Sequence, residues 1–92
     1  NVNYRIEIEV KNLKELQEAL NCRVERIMLD NMPLTSIRKA VERYSEMVEL
    51  EVSGGINIDN IEKYARTGIQ FISAGFITHS VKSLDISLLF RD

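Results

Sequence analysis

The chain has 92 residues, 45% hydrophobic and 28% charged; that suffices for one hydrophobic core, and the balance excludes disordered, collagen-like and coiled-coil classes. Its 12 basic and 14 acidic residues are spread along the sequence, leave a formal charge of −2 and form no basic stripe, so nucleic acid is not an expected partner. No run approaches the roughly 18 apolar residues needed to span a bilayer, and no membrane partner is expected.

The chain starts at Asn1, without an initiator methionine, and enters a strand-like run within three residues, as an excised or incomplete chain would. Four such runs centre on Glu7, Met28, Leu50 and Ile72, at spacings of 21, 22 and 22 residues. Helical patterns fill the gaps. After the first run, Asn12 with Glu15 three positions later forms a capping box, followed by Leu13, Leu16 and Leu20 on one helical face. After the second, Pro33 stands where a helix can begin, and Ile37, Ala40, Val41 and Tyr44 form its apolar stripe. After the third, Asn57 is the expected N-cap, Ile58, Ile61 and Ala65 share a face, and Gly68 is placed to end the helix. A short fourth helix is expected over Thr78–Leu84. Strand and helix alternating at this interval imply right-handed βαβ units with parallel strands, an α/β fold.

Parallel strands buried on both faces read as continuous apolar runs, and these do not. Ile6, Ile8 and Val10 alternate with Arg5, Glu7 and Glu9; Leu50 and Val52 alternate with Glu49, Glu51 and Ser53; the second run ends in Asp30 with Met28 on its face, and the fourth ends in Gly75 with Phe71 and Ser73. One face is apolar and takes the helices, while the other is rich in carboxylates. Two architectures fit this alternation. In a barrel, the polar face points inward and Glu9, Asp30, Ser53 and Gly75 meet at the C-terminal mouth, where such barrels build active sites. In an open four-stranded sheet with helices on one side, the same charges are simply solvated.

Ser53-Gly54-Gly55 follows a strand and precedes a helix, which brings flexible backbone N–H groups to a helix start, a setting suited to phosphate as well as to an ordinary tight turn. Ala74-Gly75 ends the next strand, and barrels commonly hold phosphate between their last two strand-to-helix loops. His79, the lone histidine, stands beside that loop, where its ring N–H can supplement the backbone donors or serve in packing. Glu9 and Asp30 lie one repeat apart, at equivalent strand ends. Carboxylates there can hold a divalent cation, contact sugar hydroxyls, stabilise positive charge developing on a ribose, or cap the neighbouring helices. Glu7, Glu49 and Glu51 share their face at greater depth, within reach of Arg5. Met28 and Met32 read as packing residues. Cys22 is the single cysteine, carries no reactive signature and has no partner for an internal disulfide, which suits a reducing interior such as the cytoplasm.

Taken together, Ile6-Glu7-Ile8-Glu9-Val10, Ile27-Met28-Leu29-Asp30-Asn31-Met32, Glu51-Val52-Ser53-Gly54-Gly55-Ile56, Ile72-Ser73-Ala74-Gly75 and Thr78-His79-Ser80-Val81-Lys82-Ser83-Leu84-Asp85-Ile86-Ser87 resemble the C-terminal part of the quinolinate phosphoribosyltransferases, also called carboxylating nicotinate-nucleotide pyrophosphorylases. The resemblance covers nearly the whole chain and implies that residues 1–92 form the C-terminal half of a TIM-like (β/α) barrel. It implies transfer of phosphoribosyl from phosphoribosyl pyrophosphate to quinolinate, giving nicotinate mononucleotide, pyrophosphate and carbon dioxide with Mg2+, a step of NAD biosynthesis. By motif, Glu9 and Asp30 would contact the ribose hydroxyls and the magnesium of the donor, and Ser53, Gly54, Gly75 and His79 would surround a phosphate. A homodimer is implied for the complete enzyme.

The departures from the family pattern are local: Asn21-Cys22-Arg23-Val24-Glu25-Arg26 replaces an Ala-Gly-Ala-Asp-like approach to the second strand, and Phe76 follows Gly75 where a smaller residue is usual. The family's N-terminal domain, its earlier strands and its basic cluster for the two quinolinate carboxylates have no counterpart. An acidic mouth cannot bind that dianion alone, so the chain by itself is expected to be inactive. The alternatives are a related phosphoribosyltransferase with another acceptor, and an isolated, inactive half-barrel module whose open strand edges drive dimerisation.

Overall fold

A computed structural model describes residues 6–74 together with the backbone of residues 77–80. The elements run β1 (Glu7–Val10), α1 (Leu13–Leu20), β2 (Arg26–Asp30), α2 (Leu34–Tyr44), β3 (Glu49–Ser53), α3 (Ile61–Ala65), β4 (Phe71–Ala74) and β5 (Ile77–Ser80), and the sheet order is β1-β2-β3-β4-β5. The first four strands are parallel, as the βα repeat predicts; they are half the eight of a complete (β/α)8 barrel.

The alternation sorts the faces as expected. Val10, Ile27, Leu29, Leu50, Val52 and Ile72 are buried beneath the helices, where they meet Leu16 of α1, Ile37 and Ala40 of α2 and Ile61 of α3. Burying a side chain of this size contributes about 1.5–3 kcal/mol, so these positions hold the helices to the sheet. The other face carries Glu7, Glu9, Arg26, Met28, Asp30, Glu49, Glu51, Ser53 and Phe71.

The helix signals act largely as predicted. The Asn12 side chain accepts from the Glu15 N–H at 2.8 Å, while the Glu15 carboxylate accepts from the Lys11 N–H at 2.7 Å, one residue earlier than in the usual capping box. Pro33 is the N-cap residue of α2, with its carbonyl accepting from the Ile37 N–H at 3.0 Å. Helix α3 is shorter than predicted. Asn57 does accept from the N–H groups of Asp59 and Asn60, at 2.9 and 3.1 Å, but these close a turn, and helical geometry begins only at Ile61. Ile58 therefore lies off the buried stripe and is 46% exposed. Gly68 has φ +87° and turns the chain out of the helix towards β4.

One expectation is overturned. Ile77–Ser80 is not the start of a helix but a strand antiparallel to β4, in the register Ala74↔Ile77 to Phe71↔Ser80. The outer edge of β4 offers a row of backbone donors and acceptors, and the β-branched Ile77 and Thr78 suit an extended partner for it. That edge of β4 is paired, and among the described residues β1 and β5 are the outer strands of the sheet. The rest of the expected helix lies outside the described residues. No helix among the described residues is long and apolar enough to cross a membrane.

Candidate functional site

The polar face has two levels. At the lower one, near the N-terminal ends of the strands, the register aligns Glu7, Arg26 and Glu49 across β1, β2 and β3. Arg26 donates to the carboxylate of Glu51 at 3.1 Å, approaches that of Glu49 at 3.5 Å, and places its guanidinium carbon 3.6 Å from the centre of the Phe71 ring. The Glu51 side chain is only 6% exposed. Burial, and after it the neighbouring Glu7 carboxyl, push Glu51 above the ordinary carboxylate value, against the opposing pull of Arg26. The sequence placed these glutamates within reach of Arg5. Arg26 takes that role among the described residues, and Arg5 lies outside them.

The upper level is the candidate site. Asp30 pairs in register with Ser53, and the Ser53 hydroxyl donates to the Asp30 carboxylate at 3.4 Å. Glu9 is in register with Met28 rather than with Asp30, so the two carboxylates are not level neighbours as their one-repeat spacing suggested. They share a face on adjacent strands but sit two residues apart along it, with Cα atoms about 8 Å apart on ordinary sheet spacings. The register offset between β1 and β2 is 19 residues (26 − 7), against the 21 (30 − 9) that separate Glu9 from Asp30, so Asp30 stands two residues further along the face. Met28 is half-buried between Glu9 and Glu51, and Met32 is buried in the core, so both act in packing. Cys22 is exposed in the connection between α1 and β2.

The loop after β3 is shaped by its glycines. Gly54 and Gly55 have φ +88° and +69°, values that L side chains rarely adopt. A Cβ on Gly54 would lie 2.9 Å from the backbone nitrogen of Asn31, so only glycine lets the two loops approach this closely. Beyond the glycines, the Asn60 carboxamide donates to the Gly55 carbonyl at 2.8 Å and accepts from the Asn57 N–H at 2.8 Å, which ties the loop to the turn before α3. The Ser53, Gly54 and Asp30 positions predicted from sequence are thus brought together at one strand end. Gly75 lies outside the described residues, and of His79 only the backbone, in β5, is described. Asn31 was not singled out by sequence reasoning, although an asparagine at a strand end, a residue type tolerant of left-handed backbone, is a readable signal for such a turn.

Among the described residues no group of three or more His, Cys, Asp or Glu side chains converges on one point, so these residues cannot cage an ion. Two hard carboxylates on one face do fit a cation that keeps part of its water shell and completes its coordination with substrate phosphate, as magnesium does.

Comparison with known proteins bears on what acts here. Residues 1–89 match the family model for the quinolinate phosphoribosyl transferase C-terminal domain. The chain is 48% identical over 91 residues to a probable carboxylating nicotinate-nucleotide pyrophosphorylase of Methanocaldococcus jannaschii, covering 91% of this chain and 32% of that protein. It is 40% identical over 83 residues to the corresponding Bacillus subtilis protein, covering 90% and 29%. Its fold is similar to the nicotinate-nucleotide pyrophosphorylase of Francisella tularensis, with a TM-score of 0.78 and 43% identity over 85% of this chain and 29% of the other. The chain spans about a third of the length of the curated relatives it matches.

Proposed function

The chain belongs to the quinolinate phosphoribosyl transferase C-terminal domain family, and on that premise we propose that it supplies the donor-binding side of an enzyme that transfers phosphoribosyl from phosphoribosyl pyrophosphate to quinolinate, releasing pyrophosphate and carbon dioxide and forming nicotinate mononucleotide in NAD biosynthesis. The observation that carries this reading is the meeting of Asp30, Ser53 and the Gly54-Gly55 turn at the C-terminal ends of parallel strands. Backbone N–H groups of the glycine turn and the Ser53 hydroxyl receive a phosphate group of the donor. Asp30 and Glu9 accept hydrogen bonds from ribose hydroxyls, and their negative charge stabilises the cationic character that the ribose acquires as the bond to pyrophosphate lengthens. Gly75 and His79 join the phosphate site on the strength of the family motif. Asp30 and Glu9 are the residues that would hold Mg2+, which when bound would supply positive charge to offset that of the pyrophosphate.

The acceptor is a dianion, and the polar face offers carboxylates to it, so the cations that bind quinolinate come from elsewhere in the complete enzyme. We assign that enzyme to a reducing compartment such as the cytoplasm, which suits the lone Cys22, and to a homodimer.

The test is nicotinate mononucleotide formation by the full-length protein with phosphoribosyl pyrophosphate, quinolinate and Mg2+, each omitted in turn. Product requiring all three supports the reading, and absence of product under these conditions overturns it. Preference for another pyridine carboxylate would leave the donor site and reassign the acceptor. The 92-residue chain alone is expected to give no product.

A further inference from the structure

Asn31, the residue after Asp30, has φ +55° and is the only non-glycine with a positive φ among the described residues. Its N–H donates to the Ser53 carbonyl at 2.8 Å, which carries the β2–β3 ladder one residue past the end of β2. From the other side, the α-carbon of Gly54 closes on Asn31 so tightly that an added Cβ would stand 2.9 Å from its nitrogen and 3.1 Å from both its Cα and Cβ. The left-handed turn at Asn31 thus swings the chain aside at the point where the glycine turn passes. The loop that ends in Asp30 and the loop that begins at Ser53 are locked together through backbone, within one residue of each proposed ligand group.

We propose that Asn31 is a positioning residue: its left-handed backbone, clamped against Gly54, fixes the Asp30 carboxylate relative to the Ser53-Gly54-Gly55 phosphate turn, and so sets the geometry in which the sugar and phosphate of one donor molecule are held. The inference rests on the donor-site reading above and goes beyond it in assigning the coupling to backbone conformation rather than to a side-chain contact. Asparagine is suited to the position because it tolerates φ near +55° better than other non-glycine residues, and glycine would tolerate it fully.

The test compares Asn31→Ala, Asn31→Gly and Gly54→Ala in the full-length enzyme. Asn31→Ala and Gly54→Ala are expected to raise KM for phosphoribosyl pyrophosphate by roughly ten- to a hundredfold, leaving KM for quinolinate unchanged, whereas Asn31→Gly retains the wild-type value. An alanine variant as good as wild type, a glycine variant as poor as alanine, or an equal rise in both KM values would overturn the proposal. Hydrogen exchange separates this from the enzymatic reading because it requires no activity. The Asn31 amide is expected to be protected in wild type and to exchange faster in Gly54→Ala, with the Leu29 amide unaffected. Unchanged protection at Asn31 would overturn the clamp even in an active enzyme, and an inactive wild type with the expected exchange pattern would overturn the assigned function alone.

Discussion

The two levels of the polar face are built from similar residues and behave oppositely. At the lower level, Arg26 is half-buried among Glu49, Glu51 and Phe71, and its charge is spent on the two carboxylates, of which that of Glu51 is buried. At the upper level, among the described residues, Glu9 is exposed, the Asp30 carboxylate accepts one long hydrogen bond from the Ser53 hydroxyl, and the adjoining loop turns on two glycines. A carboxylate already held by a neighbouring guanidinium has little to offer a ligand, whereas one exposed to solvent beside a glycine turn has more. Position along the strand, rather than residue type, separates the ion-paired acids from those proposed to bind the donor.

Substitutions at the two levels should therefore fail differently. The largest effect is expected for Asp30→Asn in the full-length enzyme: a loss of about 100- to 1000-fold in kcat/KM, by analogy with removal of one preorganised electrostatic group, with urea unfolding little changed. A loss of stability without loss of activity would reverse the comparison. Arg26→Met should do the converse, leaving Glu51 buried beside Glu7 without a cation and costing about 3 kcal/mol of stability in urea unfolding; a cost near that of an exposed pair, below about 1 kcal/mol, would show that the lower level is not a packed ion pair. Asn12→Ala removes the cap of α1, a residue outside the proposed ligand groups, and should cost about 1 kcal/mol with no change in KM for either substrate. The smallest effect is a pH dependence at Glu51. Its carboxyl is raised on folding, so the folded chain binds the extra proton; that contribution is fully present below the ordinary value of 4.5 and is lost as pH rises through the raised value. Stability measured relative to Glu51→Gln should accordingly decline as pH rises through that range, and a flat difference would remove Glu51 from the account.

Much of this was legible because it depends on local chemistry. The period-2 alternation of Ile8 and Val10 against Glu7 and Glu9 marked the buried face, and Asn12, Pro33 and Gly68 marked helix ends by capping and backbone preference. The Ser53-Gly54-Gly55 turn was readable from its glycines. What escaped depended on register and on distant partners. Nothing local to Glu9 or Asp30 states which residues face each other across β1 and β2, so the stagger that moves Glu9 level with Met28 had to come from the sheet. Arg26 was passed over because its partners are 23 and 25 residues away. Ile58 failed because Asn57 and Asn60 satisfy the backbone in a turn, which postpones the helix until Ile61. The strand at Ile77–Ser80 is set by the open edge beside it rather than by any helix signal in its own residues.

That last strand bears on assembly. In a complete barrel, the side of β4 away from β3 receives another parallel strand arriving through a βα crossover, yet Ile77–Ser80 already occupies it in the antiparallel sense. Two strands cannot share one row of hydrogen-bonding groups. A parallel strand added on that side would have to displace the antiparallel one, bond for bond.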